Sequence, residues 1–170
     1  MRRGGRGPGT LIVEELKRAG IRLVASLPDE WLKELLDLRD KDPHFIHVPV
    51  SREDEGVGVC AGYQMGGGEA ALIVQNTGLF LSANAIIALI NTFRIPLLML
   101  VSNRGDIDDA KVYQVPKALY SAPLLDALHV ARFEVKGPED AGTISKAHTF
   151  SKLSQLPVAV LLSRRALVGP

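Results

Sequence analysis

Six short apolar runs, separated by helical patterns, constrain this chain most. They are Ile21 to Ala25, Phe45 to Val48, Ala70 to Val74, Pro96 to Val101, Val130 to Val135 and Pro157 to Ser163. Each reads as a strand, and Pro96 to Val101 has the unbroken hydrophobicity of a strand covered on both faces. Helices are expected at Leu11 to Ala19, capped by Thr10 and stopped by Gly20, and from Pro28-Asp29-Glu30 to Arg39. Others are expected after Glu53, over Ala83 to Thr92, over Ala122 to Leu128 and over Pro138 to Leu153. Strands alternating with helices predict a three-layer α/β/α domain with a six-stranded, mostly parallel sheet, whose ligands gather beyond the strand C-termini.

At 170 residues and 46% hydrophobic, the chain can bury a core without disulfides or a metal, and residues 10–170 read as one domain. A net charge of +1 creates no field favouring nucleic acid or an anionic membrane. No run reaches the roughly 20 apolar residues of a membrane span, and the single cysteine, Cys60, builds neither a disulfide framework nor a cysteine zinc site. A cytoplasmic protein is expected. Residues 1–9 hold Arg2, Arg3 and Arg6 among Gly and Pro, which suits a flexible basic leader better than an RNA-contacting arm.

Four loops follow strands in this reading: Ser26-Leu27-Pro28, Pro49 to Glu53, Gln75-Asn76-Thr77-Gly78, and Ser102-Asn103-Arg104-Gly105. A parallel sheet collects them at one edge, although each alone also fits turn chemistry. The stretch from Ser102 to Tyr120 reads as a long, mostly irregular connection. Glu53, Asp54 and Glu55 open a small-residue helix, where acids suit the positive helix end. His44, His47, His129 and His148 have no metal-ligand spacing and read as structural or exposed, and no metal ligands are assigned on this chain. Trp31 fits a helix core, and Cys60 lacks a base partner.

Glu53 to Gly62-Tyr63, Gln75-Asn76-Thr77-Gly78, Asn84-Ala85, Ile95-Pro96-Leu97-Leu98 and Gln114-Val115-Pro116 leading to Leu124-Leu125 occur in one order. Together they resemble the pyrimidine-binding domain of thiamine-diphosphate enzymes, on the decarboxylase branch that includes sulfopyruvate and phosphonopyruvate decarboxylases. The resemblance implies that Glu53 is the carboxylate that hydrogen-bonds N1′ of the cofactor's aminopyrimidine, with Glu55 the rival by position. It implies that Asn76, Thr77 and Gly78 line the cofactor pocket, and that Leu79 and Phe80 turn apolar surface toward the pyrimidine. Gln75, Asn76, Arg104 and Gln114 are the implied substrate contacts, although a solvated loop charge explains Arg104 and Lys111 as well.

Enzymes of that family also need a diphosphate-binding domain with a Gly-Asp-Gly motif. Arg104-Gly105-Asp106-Ile107 lacks the second glycine. The resemblance therefore implies a two-subunit 2-keto acid decarboxylase. This chain would supply the pyrimidine side, and a partner subunit would hold the diphosphate and Mg²⁺. Self-association is also expected. A non-catalytic regulatory or scaffolding relative and a stand-alone small-molecule binding module are the alternatives.

Overall fold

The computed structural model describes residues 7–107, 109 and 111–169. The strands are β1 (Leu23–Ser26), β2 (Ile46–Pro49), β3 (Ala70–Gln75), β4 (Leu98–Ser102), β5 (Ala131–Val135) and β6 (Val158–Leu162). They form one sheet in the order β2-β1-β3-β4-β6-β5. Every pairing is parallel. The helices are α1 (Pro8–Arg18), α2 (Lys33–Asp40), α3 (Glu53–Met65), α4 (Asn76–Ala85), α5 (Val115–Ala127), α6 (Thr143–Ser154) and α7 (Arg164–Val168).

Alternation along the strands divides the core in two. Val24, Ile73, Leu100 and Val160 face a layer built by α1, α2, α6 and α7. Ala25, Leu72, Met99 and Ala159 face the opposite layer, built by α3, α4 and α5. The chain after β1 enters the first layer and the chain after β3 enters the second. The C-terminal ends of these neighbouring strands are thus splayed into the crevice where open parallel sheets bind ligands. Small residues bring α3 close to the sheet: a Cβ at Gly56 would lie 2.6 Å from Leu72 Cδ1.

Several boundaries differ from the sequence expectation. Helix α1 starts at Pro8 with Gly7 as its N-cap, and Thr10 lies inside it. Proline at the first helical position has its φ already set and lacks only an N–H that would have no helical partner. The expected leader over residues 1–9 therefore ends earlier, since Pro8 and Gly9 are helical; its three arginines lie outside the described residues. Asn76-Thr77-Gly78 is no loop, because α4 begins at Asn76 directly from β3. Ser102 to Tyr120 is less irregular than expected: a 3-10 turn at Val112–Gln114 leads into α5, with Pro116 in its first turn. Proline is tolerated there because an N–H in the first turn has no helical partner. A π-helical segment, Ile86–Asn91, prolongs α4. The short α7 has its signal in Ser163, whose Oγ accepts from Ala166 N at 3.2 Å.

Candidate active site at the start of α3 and α4

The three acids that open α3 have different surroundings. Glu55 accepts from the Ser51 and Arg52 amides at 3.0 and 3.1 Å, which is the backward reach of an N3 glutamate that closes a helix start. Asp54 takes two hydrogen bonds from Arg52 at 3.1 Å, and these hold its carboxyl below the usual range. Glu53 is 4% exposed, and its side chain has no hydrogen-bond or ion-pair partner among the described residues. Glu55 is thereby spent on capping, which leaves Glu53 as the uncommitted acid of the pair.

Glu53 lies against Gly78 in the first turn of α4. A Cβ there would fall 2.5 Å from Glu53 Cγ and 3.1 Å from both its Cβ and its Cδ. Glycine at position 78 is thus what lets the two helix starts meet. Buried acceptors without partners occur in the residues just before Gly78, Gln75 Oε1, Asn76 Oδ1 and Thr77 Oγ1, and in the 3-10 turn before α5, Gln114 Oε1. Asn76 Nδ2 donates to the Arg104 carbonyl at 2.8 Å, which ties the loop after β4 to α4. Gly105 has φ +85°, and a Cβ on it would meet Gln114 O at 2.0 Å, so the loop folds back tightly onto Gln114. A concentration of buried orphan acceptors is a site signature, because such groups are otherwise nearly always satisfied.

Two sequence-assigned residues are used differently. Leu79 is fully buried in the second-layer core and offers no surface to a ligand. Helical spacing explains this, since Leu79 turns inward while its neighbour Phe80 turns outward. Phe80 lines an apolar groove with Thr77, Leu81, Pro116, Lys117 and Tyr120. Arg104 is neither a solvated charge nor a free anion receptor. It is 2% exposed, its Nη1 donates to Asp29 Oδ1 at 2.7 Å, its Nε donates to Asp109 Oδ2 at 2.8 Å, and its guanidinium stacks 4.4 Å from the Trp31 ring. Both of its strong bonds go to carboxylates of the same chain. Lys111 pairs with Glu30. Cys60 is buried with its thiol pushed up to about 12 by burial, which removes it as a nucleophile. No group of three or more His, Cys, Asp or Glu among the described residues is arranged to hold a metal ion.

Gly78→Ala tests the Glu53 contact. Alanine is the better helix former by up to about 1 kcal/mol, while overpacking costs about 1–3 kcal/mol, so the net change runs from neutral to a loss of about 2 kcal/mol. Displacement of a reacting group by about 1 Å can cost on the order of 100-fold in rate. The expected result is a roughly 100-fold loss in any reaction that uses the Glu53 carboxyl, with a fall in melting temperature of at most about 8 °C, checked by kinetics and thermal unfolding.

Comparison with known proteins shows the family of the chain. Residues 8–120 match the family described as "Thiamine pyrophosphate enzyme, N-terminal TPP binding domain". The sulfopyruvate decarboxylase subunit alpha of Methanococcus maripaludis is 38% identical over 145 residues, covering 85% of this chain and 87% of that protein. A longer sulfopyruvate decarboxylase of Methanosarcina acetivorans is 36% identical over 119 residues, or 70% of this chain and 30% of that one. A phosphonopyruvate decarboxylase of Streptomyces viridochromogenes is 33% identical over 94 residues, or 55% of this chain and 24% of that one. Among solved structures, 2-oxoglutarate:ferredoxin oxidoreductase from Magnetococcus marinus superposes with a TM-score of 0.76 at 13% identity, covering 95% of this chain and 29% of that one, a likeness of fold alone. With most of its length matched by the family and by the alpha subunit, the chain belongs to the thiamine pyrophosphate enzymes, as an N-terminal TPP-binding domain.

Proposed function

We propose that this chain is the pyrimidine-binding subunit of a two-subunit, thiamine-diphosphate-dependent decarboxylase of 2-keto acids, with sulfopyruvate as the substrate. The observation that carries the reading is Glu53: a buried carboxylate without a partner among the described residues, set against the side-chain-free Gly78, which directly follows the unpartnered acceptors of Gln75, Asn76 and Thr77. Sulfopyruvate is preferred over phosphonopyruvate because the relatives named for the former match more of the chain at higher identity.

The residues present fit the pyrimidine half of the cofactor. Thiamine diphosphate supplies, when bound, the electron sink into which a 2-keto acid loses carbon dioxide. Glu53 holds a proton at the ring nitrogen N1′, a task that needs an ionisable group kept from water and not already engaged. Asn76, Thr77 and Gly78 form the wall beside it, and Gln75 and Gln114 offer unpartnered amide oxygens to donors of the cofactor or substrate. Phe80 gives the apolar contact. Arg104 is neutralised within the chain, so among the described residues Lys117 is the one cation lining the Phe80 groove, and it suits the sulfonate.

A diphosphate-binding partner with a Gly-Asp-Gly motif and Mg²⁺ completes the site in this reading. Its docking face is the apolar surface of α4 with its π-helical extension and of α5 with the 3-10 turn before it, where Leu81, Ile87, Val112, Tyr113, Leu119 and Tyr120 are exposed. Self-association through the same end of the molecule and a cytoplasmic setting complete the proposal; among the described residues, no helix is long and apolar enough to cross a membrane.

Reconstitution tests this. Sulfopyruvate is expected to lose carbon dioxide only when this chain, a copurifying partner, thiamine diphosphate and Mg²⁺ are all present. Turnover by the rigorously pure single chain, or full turnover by the partner alone, overturns it.

A further inference from the structure

On the other side of the sheet from α3, a cavity of about 430 Å³ opens between the end of β1, α2 and edge strand β2. Alternation turns Ser26 and His47 to this side, with Val24 and Phe45, while Ala25 and Val48 face α3. Asp40, the last residue of α2, completes a hydrogen-bonded line. His47 Nδ1 is 3.0 Å from Asp40 Oδ1, and His47 Nε2 is 3.1 Å from Ser26 Oγ. With Nδ1–H donated to the carboxylate, Nε2 is left as the acceptor for the serine hydroxyl, which is the order of roles in a Ser-His-Asp triad. Arg39 Nη2 also binds Asp40 Oδ1, at 2.9 Å, and fixes its orientation.

Three further observations bear on reactivity. Ser26 sits at the carboxyl end of a parallel strand, is 1% exposed, and lines the cavity. Burial, and then the neighbouring Arg39 cation, lower the His47 pKa against the opposing pull of Asp40, so the imidazole is neutral at pH 7 and its Nε2 is unprotonated. Arg39 itself is 1% exposed, lines the same cavity, and has Nε and Nη1 without partners. The amides that follow Ser26 are not free, because Leu27 N–H goes to Ile73 O at 3.2 Å and residue 28 is proline. Arg39 is therefore the nearby unpartnered donor for a developing oxyanion in this centre, reached once a substrate enters and the buried Nε and Nη1 of Arg39 turn to it.

We propose that Ser26, His47 and Asp40 form a second reactive centre, a serine nucleophile that hydrolyses small uncharged carboxylic esters. Ser26 Oγ bonds to the ester carbonyl carbon as its proton passes to His47 Nε2. The imidazolium then protonates the departing alkoxide as the ester C–O bond breaks. Water, deprotonated by His47, releases the acid and restores the serine, so one ester and one water give one acid and one alcohol. At the cavity Asp29, Glu30, Asp37 and Asp40 outnumber Lys33 and Arg39, which argues against an anionic substrate.

The test uses the full chain with a fluorophosphonate probe and with p-nitrophenyl acetate. The expected result is one adduct per folded chain, mapped to Ser26 by peptide mass spectrometry and lost when the chain is unfolded in urea. Labelling should be abolished in Ser26→Ala and slowed at least 100-fold in His47→Gln, with ester hydrolysis falling in parallel. No adduct on the folded wild type, an adduct elsewhere, or labelling at an unchanged rate in His47→Gln overturns the proposal. The adduct position is read on the wild type, so a variant that fails to fold leaves the proposal open to refutation.

Discussion

Replacing Glu53 by glutamine is expected to lower turnover of the assembled enzyme by roughly 100- to 10,000-fold, the range that a positioned acid-base group supplies. The amide keeps the shape and one acceptor oxygen but cannot exchange a proton at N1′. The stability effect should go the other way or be absent. A carboxylate that is 4% exposed and accepts no hydrogen bond from the described residues costs free energy to bury, and the helix dipole returns only about 0.3–1 kcal/mol. The isolated Glu53→Gln chain should therefore melt at or above the wild-type temperature. This is the pattern of a group held for function at the expense of stability. Kinetics of the reconstituted complex and thermal unfolding of the single chain measure the two effects separately. A variant that retains more than a tenth of wild-type turnover would contradict the proposed role.

Much of this architecture is legible in the chain itself. The six apolar runs are short and evenly interrupted, and period-two burial into two layers follows from any parallel sheet with helices on both faces. The role proposed for Glu53 has a sequence signal because a family motif and an acid at a helix start coincide. The preference over Glu55 is not local in the same way. It depends on Glu55 reaching back to Ser51 and Arg52 and on Gly78, 25 residues later, closing on Glu53. Glycine at 78 reads in sequence as a turn signal, whereas its use is a close approach between two helices. Leu79 and Arg104 depart from the sequence expectation for a related reason. A loop position says where a residue sits along the chain, but burial is set by elements far away, here Asp29 some 75 residues before Arg104. Asp40, His47 and Ser26 likewise meet only because the order β2-β1 makes those strands neighbours.

The Arg104 cluster gives the largest expected effect on stability. Arg104→Met keeps the stacking volume over Trp31 but removes the cation bound to two nearly buried carboxylates, Asp29 and Asp109, whose side chains are 7% and 3% exposed. Attraction within such a buried pair does not guarantee net stabilisation. Removing one partner is costly in any case, because the other charges remain desolvated, and the loss is about 3 to 5 kcal/mol. For a chain of this size that corresponds to a fall in melting temperature of roughly 10 °C. The effect should depend on pH in one direction. Burial works against ionisation of Asp109, but hydrogen bonds from Arg104 and from the Gly105 and Lys111 amides prevail and lower its pKa. A carboxyl whose folded pKa is depressed contributes stability that is fully present above its unfolded value, near 3.8, and is lost as pH falls through the folded value. The wild type should accordingly lose its advantage over Arg104→Met as the pH drops below about 4, because protonated carboxyls no longer need the cation. Because Asn76 Nδ2 bonds the Arg104 carbonyl, loosening this cluster also releases the loop that carries Gln114 toward the α4 start. Urea titrations of both proteins from pH 3 to 7 measure the gap, and a gap that is constant across this range would show that the carboxylates are not what Arg104 stabilises.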